Sequence, residues 1–396
     1  MYELLSPAGD LEKLKTAFLF GADAVYCGGP SLQLRAQSAG MPMEDLEYGI
    51  EYAHKMGKRV YVTVNSFAHN GDFAELPGYL RDLRSIGADG IIVSDLGVVA
   101  LAARTVPELP IHVSTQANCL NYESANVYHK MGAKRIVLGR ELSLEEIREI
   151  RDRTPPELEL EAFVHGAMCM AYSGRCLISA FLTGRDANRG DCAQACRWKY
   201  RLVEEKRPGE YFPIAQEEGG TTILSSKDLK TLSFIDRIKD AGITSFKIEG
   251  RMKSAYYVAT VTNAYRHAID KTAPIEILER EVRSVSHRDF SSGFYFGELK
   301  DAPASGEHYT QDCEFIAVVI SRRGNIIQVE QRNRFFKGDE LEVLSPNSLG
   351  ESFVVTGMRD EAGNEVTSAP HPQQKLYLEC PLNLSPGDIL RRRRRN

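Results

Sequence analysis

The chain has 396 residues, more than one ordinary hydrophobic core accommodates, so a large domain with a smaller companion is expected. Hydrophobic residues make up 43% and charged residues 26%, the balance of a soluble globular protein, and no apolar run approaches the ~20 residues needed to span a bilayer. A net charge of −5 excludes global attraction to a polyanion, so any contact with nucleic acid has to come from local basic patches.

From residue 1 to about 270 one pattern repeats: an amphipathic helix, a glycine, then a short apolar β-branched strand. The instances are FLFGADAVYCGG, HKMGKRVYVTVN, RSIGADGIIVSD, HKMGAKRIVLGRE and KDAGITSFKIEG, with Gly21, Gly57, Gly87, Gly132 and Gly242 at the left-handed positions that close helices. In the first unit Asp10 caps a helix whose Leu11, Leu14, Ala17 and Phe18 recur at helical spacing. Near-continuous apolar strands alternating with helices indicate a parallel sheet covered by helices, and this many units in about 250 residues predicts a (β/α)8 TIM-type barrel over residues 1–273. Strand candidates are Leu4–Ser6, Ala24–Tyr26, Val60–Asn65, Ile91–Ser94, Ile111–Ser114, Arg135–Leu138, Leu158–Val164, Ile223–Ser225 and Phe246–Ile248, nine for eight places. A doubly wound sheet is the second architecture, although no Gly-rich phosphate fingerprint follows the first strand.

In such a barrel the chemistry lies at the C-terminal strand ends. The residues there are polar: Asn65, Asp95, His112 to Gln116, Arg140 with Glu141, His165, Ser226 with Lys227, and Glu249 with Arg251. Singly, a strand-end Asp or Asn is an ordinary helix cap, an Arg–Glu neighbour pair is an ordinary solvated pair, and a histidine such as His165 is as readily a satisfied core residue. Together they form a candidate site, with His165, Glu141, Arg140, Lys227 and Glu249 as catalytic candidates and Asn65, His112, Gln116 and Arg251 as substrate-binding candidates.

Four of the eight cysteines cluster in one stretch, Cys169, Cys176, Cys192 and Cys196, as C-x6-C-x15-C-x3-C, inside an insertion of about residues 165–220. The other four, Cys27, Cys119, Cys313 and Cys380, are scattered singly, as small buried residues are. Disulfides rank last, because MYELLSPAGDLEKLK carries no export signal and a cytoplasmic location is expected. Zinc ranks second, because only Cys192 and Cys196 are closely spaced. A 4Fe-4S cluster ranks first, since four thiolates around a cubane tolerate irregular spacing and the intervening loops are rich in Gly, Ser and Arg. If DCAQACRW begins a helix, Cys192 and Cys196 at i and i+4 share one face. Around the cluster Arg185, Arg189, Arg197, Lys199 and Arg201 interleave with Phe181, Trp198 and Tyr200, a composition suited to stacked single-stranded bases, so Arg197, Trp198 and Lys199 join the substrate-binding candidates.

Beyond the barrel, residues 254–270 read as a long helix and 274–313 as a connection containing FSSGFYFG. Residues 314–390 change to short alternating strands divided by turn signals, a small antiparallel β-barrel, and KGDELEVLSP with SPGDILRR resembles the β-barrel domain of translation factors. The arginines Arg391–Arg395 in residues 391–396 read either as a solvated tail or as a phosphate contact.

The run Glu161-x-Phe163-x-x-Gly166-Ala167-Met168-Cys169-x4-Gly174-x-Cys176-x-Ile178-Ser179 resembles the signature of the collagenase-like peptidase family U-thirty-two. The resemblance covers most of the chain, and CRWKY with the SKDL segment at Ser226 to Leu229 is most similar to the tRNA-hydroxylating branch. It implies hydroxylation of wobble uridine in tRNA to 5-hydroxyuridine with prephenate as a required metabolite; other branches act on ribosomal RNA or the ubiquinone ring. The family's name carries the competing expectation of a peptidase. H-E-x-x-H, G-x-S-x-G and S-x-x-K are all absent, and a nucleophile within a four-cysteine ligand set would be occupied by metal. A non-catalytic RNA-binding component is the third class.

Overall fold

The structure, a computed structural model, describes residues 2–32, 40–168, 178–185, 192–195, 215–217, 220–222, 227–297, 309–346 and 348–394. Seven strands pair in chain order, all parallel: β1 (Glu3–Pro7), β2 (Ala24–Gly28), β3 (Arg59–Val64), β4 (Gly90–Val93), β5 (Ile111–Val113), β6 (Ala133–Val137) and β7 (Glu159–Ala167). An eighth stave, Ser245–Ile248, lies parallel to β7 on one side and β1 on the other, with Ser245 in register with both Glu161 and Glu3. The sheet therefore closes into the expected TIM-type barrel; a doubly wound sheet would leave two open edges. Phe246–Ile248 is thus a stave, and Ile223–Ser225 lies outside the described residues.

The helical punctuation follows the sequence. Asp10 accepts the backbone N–H of Lys13 at the start of helix Leu11–Leu19, which buries Leu14, Ala17 and Phe18. Gly21, Gly57, Gly87, Gly132 and Gly242 all have φ between 66° and 106°, where a side chain would be strained.

β7 runs nine residues and projects past the rim. There Asp228–Lys230 pairs antiparallel with His165–Ala167, and Phe290–Ser291 adds parallel to Asp228 and Leu229. A buried ion pair fixes this flap: Arg288 donates to Asp228 from Nη2 at 2.8 Å and from Nε at 3.1 Å. The Tyr295 hydroxyl, from FSSGFYFG, donates to the Phe163 carbonyl at 2.6 Å.

The chain divides into two compact units, and their borders differ from the expectation that 1–273 is one domain and 274–313 a connection. The first takes Met1–Phe18, Ala22–Lys253 and Arg288–Tyr309; the second takes Leu19–Gly21, Ser254–His287 and Thr310–Asn396. The physical reason lies in helix Ala255–Asp270, whose Tyr256 stacks on Phe315 at 5.4 Å and donates to Ser284 Oγ at 3.1 Å. Residues 313–393 build a seven-stranded antiparallel sheet around Ile316, Val329, Leu341, Val343, Leu376 and Leu390.

The arginine run is not a free tail. Ile389–Arg393 is a strand paired with both Cys313–Arg323 and Glu340–Ser345. Arg391 is 0% exposed on Glu281, Arg392 pairs with Glu314 and Asp339, and Arg393 pairs with Glu342. Acidic neighbours convert what looks like a polycation into a neutralised strand, so Arg391–Arg393 are committed within the domain rather than offered to phosphate. Among the described residues no helix is long and apolar enough to cross a membrane.

Candidate active site at the barrel mouth

The barrel interior holds charge. Leu5, Ala24, Tyr26, Tyr61 and Ile92 form an apolar cluster from β1 to β4, yet Glu3, Arg135, Glu161 and Lys247 share the interior with them. Glu161 takes Lys247 Nζ at 2.8 Å on one oxygen and Arg135 Nη1 and Ser245 Oγ at 3.0 Å on the other. Arg135 also pairs with Glu3, which accepts the Tyr61 hydroxyl at 2.8 Å. Two buried acids thus face two buried bases, the arrangement that lets charges survive desolvation. Burial pushes the Lys247 ammonium below its ordinary range even with Glu161 against it, and Lys247 Nζ lies 4.3 Å from the centroid of the Tyr26 ring.

The site candidates fall into three groups. The first sits around Tyr26, whose hydroxyl donates to the Ile248 carbonyl at 3.0 Å. Burial first, then Glu249, raises its pKa, while Arg251 and Arg140 act the other way. Arg251 Nη1 reaches Thr63 Oγ1 at 3.1 Å, and a Cβ on Gly9 would come within 2.4 Å of the Arg251 carbonyl, so the first β-to-α turn packs directly on that backbone. Arg140 lies 4.0 Å from the centroid of the Phe163 ring and donates to the Ala167 carbonyl at 2.7 Å; its Nε is buried without a partner among the described residues. The Glu249 N–H donates to the His165 carbonyl, and His165, wholly buried, packs 5.6 Å from the Phe290 ring. Glu141 follows Arg140 in the same turn, and Lys227 immediately precedes the flap strand.

The second group is the wall made by β3 to β5. Asn65 donates to Ser114 Oγ at 3.5 Å and leaves its own Oδ1 buried without a partner among the described residues, while the Gln116 N–H donates to the same Ser114 oxygen. His112 belongs deeper than expected: it lies within β5, 4.5 Å from the Tyr61 ring, with Nδ1 unpartnered. Burial, then Arg135, Lys247 and Arg59, hold it well below the usual histidine range, so it is a neutral interior residue rather than a rim cation.

The third group lies outside the described residues: Cys169, Cys176, Cys196, Arg197, Trp198 and Lys199. Cys192 is described, half-buried, with its Sγ accepting the Gln194 N–H at 3.4 Å. Gln194 has φ 55°, a left-handed conformation that breaks an α-helix, so the helical face expected from DCAQACRW does not form through Cys192–Gln194. The backbone N–H to sulfur bond is of the type that stabilises metal-bound thiolate, so the donor chemistry of this cysteine fits an iron–sulfur ligand. Among the described residues no group of three His, Cys, Asp or Glu assembles a metal site elsewhere.

Sequence reasoning missed Arg135, Glu161, Lys247, Tyr26 and Tyr61. The available signal was a charge inside an apolar strand, as in SFKI and KRIV, at the parity that faces the barrel axis.

The closed eight-stave barrel, with its polar groups at the C-terminal strand ends and an antiparallel β-domain after it, defines a two-domain barrel protein of the α/β class. The chain belongs to peptidase family U32: the family model matches residues 9–303, and the model of the family's C-terminal domain matches residues 311–391. It is 37% identical to tRNA hydroxylation protein P of Escherichia coli, over 96% of this chain and 94% of that protein. It is 38% identical to tRNA hydroxylation protein P1 of Bacillus subtilis, over 98% of this chain and 94% of that protein. It is also 35% identical to a collagenase of Porphyromonas gingivalis, over 75% of this chain and 74% of that protein.

Proposed function

We propose that this protein is a tRNA modification enzyme that hydroxylates wobble uridine to 5-hydroxyuridine in the cytoplasm. The observation that carries the reading is the near full-length identity, across both units, with two tRNA hydroxylation proteins. Cys169, Cys176, Cys192 and Cys196 would hold a 4Fe-4S cluster beside the barrel mouth, and such a cluster supplies one-electron chemistry. Prephenate is the proposed hydroxyl source. The chain's own contribution is a mouth with two guanidiniums, Arg140 and Arg251, for anionic groups, and the Tyr26 phenol kept protonated by burial. A flipped uridine entering a barrel mouth leaves water behind, which strengthens each of these polar contacts.

The peptidase reading has the collagenase relative in its favour, over three quarters of the chain. The absence of a metal-binding H-E-x-x-H or an activated serine motif weighs against it, and so does the burial of Cys27, Cys119, Cys313 and Cys380, the cysteines outside the four-cysteine set. Mass spectrometry of tRNA nucleosides from a deletion strain decides between them. Loss of 5-hydroxyuridine and its derivatives, restored by the wild-type gene, is expected; an unchanged nucleoside profile would overturn the tRNA reading.

A further inference from the structure

Residues 332–339 of the β-domain, RNRFFKGD, set cations on either side of an outward ring. Their backbone is tied at several points: the Arg332 N–H donates to the Ile316 carbonyl at 2.7 Å, the Lys337 N–H to the Thr367 carbonyl at 3.0 Å and the Gly338 N–H to the Val355 carbonyl at 2.9 Å. Phe335 pairs with Ala369 and is 0% exposed, so strand alternation turns Arg334 and Phe336 outward. Phe336 is 42% exposed, and the Arg334 guanidinium lies 5.0 Å from its ring centroid. One exposed phenylalanine is ordinary, and a cation over an exposed ring adds little stability. The charges beside it are what single out this turn. Arg332 pairs with Glu330 at 2.9 Å, Arg392 with Glu314 at 2.7 Å and Asp339 at 2.6 Å, and Arg394 with Glu314 at 3.6 Å. Arg392 also donates to the Arg334 carbonyl at 3.5 Å. Glu314, Glu330 and Asp339 are thus taken, and among the described residues neither Arg334 nor Lys337 has a carboxylate partner.

We propose that Arg334, Phe336 and Lys337 form a docking face for a single-stranded segment of RNA, with a base stacked on Phe336 and phosphates on Arg334 and Lys337. The partner follows from the residue types. An acidic peptide would be met by cations alone, whereas a ring flanked by cations suits a base, which stacks while its phosphates are neutralised. The tied backbone keeps the three side chains on a fixed support, so little order has to be imposed on binding. The proposal rests on the tRNA reading and adds a contact on the β-domain, at residues other than the neutralised Arg391, Arg392 and Arg393.

The test uses the full-length protein, an unmodified tRNA transcript and a poly-glutamate peptide, with affinities measured across a salt series. Arg334→Ala combined with Lys337→Ala should weaken tRNA binding and flatten the logarithmic salt slope by about 1.4, the share of two phosphate contacts on a single strand. Phe336→Leu should weaken binding about fivefold or more and leave the slope unchanged, since stacking releases no counterions. Arg359→Ala, which removes an exposed cation already paired with Glu365, should change neither. These side chains are all at the surface, so each variant should keep the wild-type melting temperature. Wild-type affinity and slope in the double variant overturn the docking face, as does an equal loss in Arg359→Ala, the mark of a general charge effect. Wild-type affinity in Phe336→Leu overturns the stacked base. Poly-glutamate bound as tightly as tRNA, and lost in the same variants, overturns RNA as the partner. Failure of the tRNA reading is read separately, as an unchanged nucleoside profile in the deletion strain while the variants still lose tRNA affinity.

Discussion

Arg391 and Glu281 meet fork to fork: Nη1 and Nη2 of the arginine each donate at 2.7 Å to a different oxygen of the carboxylate. Two parallel bonds of this kind are the strongest pairing a guanidinium makes, and here both partners are desolvated. Glu342 touches the same guanidinium, and Ser284 Oγ accepts from Nη1 at 3.2 Å. The pair ties helix Ile275–Arg283 to the last strand of the β-domain within the second unit.

Arg391→Met should therefore destabilise that unit by about 3–5 kcal/mol, because it strands the Glu281 carboxylate in a dry site. Arg394→Ala, at a side chain 53% exposed, should change stability by less than about 0.5 kcal/mol. Chemical denaturation of both variants checks the contrast, and equal small effects would return the arginine run to a solvated tail.

The interior ion pairs make a second prediction. Glu161→Gln leaves Lys247 and Arg135, 5% and 3% exposed, short of negative charge and should cost about 3–5 kcal/mol. Lys247→Met should cost less, since Glu161 keeps Arg135 and Ser245. The double variant should recover part of the loss, with a coupling of about 0.5–3 kcal/mol in a double-mutant cycle. Strict additivity would show that the Lys247–Glu161 contact carries no stability of its own.

How much of this was legible beforehand differs by level. The barrel could be read because each helix end carries a glycine and each strand a β-branched run, local features that repeat, and the four-cysteine spacing needed no structure. Nine strand candidates remained for eight places because Phe246–Ile248 becomes a stave only through pairing with β1 and β7, contacts far apart in sequence. Arg391–Arg393 misled for the same reason: their partners Glu281, Glu314, Asp339 and Glu342 lie between 49 and 110 residues away. His112 read as a rim residue because a three-residue strand gives no internal evidence of its depth.

The flap at the rim should respond to acid. Burial raises the Asp228 pKa, but Arg288 outweighs it and holds the folded carboxyl below its ordinary value. Glu3 behaves alike, with burial opposed by Arg135. A carboxyl depressed in the folded state binds fewer protons than when unfolded, so its stabilisation is complete above the unfolded value of about 4 and is lost as pH falls through the folded one. Urea midpoints measured from pH 6 down to pH 3 should fall below about pH 4, and Asp228→Asn should be weaker at neutral pH with a shallower acid limb. An unaltered acid limb in Asp228→Asn would show that this ion pair does not couple folding to protons.

The last prediction separates ligand from non-ligand cysteines by their surroundings. A metal takes thiolate, and burial works against that in the scattered set: it pushes Cys27 up to about 12 and Cys119 up to about 11, and it raises Cys313 and Cys380 too. Cys192 differs, being half-buried and already accepting a backbone N–H on its sulfur. Protein purified without oxygen should be brown, with broad absorption near ~400 nm and both iron and sulfide present. Cys192→Ala, and likewise Cys169→Ala, Cys176→Ala and Cys196→Ala, should lose most of the iron, since three thiolates leave one iron open to solvent. Cys27→Ala, Cys119→Ala, Cys313→Ala and Cys380→Ala should keep full iron at a stability cost of about 1 kcal/mol each. Iron and sulfide assays over all eight variants make the comparison without relying on tRNA activity. Full iron in Cys192→Ala, or a colourless wild-type protein with stoichiometric zinc, would refute the cluster assignment.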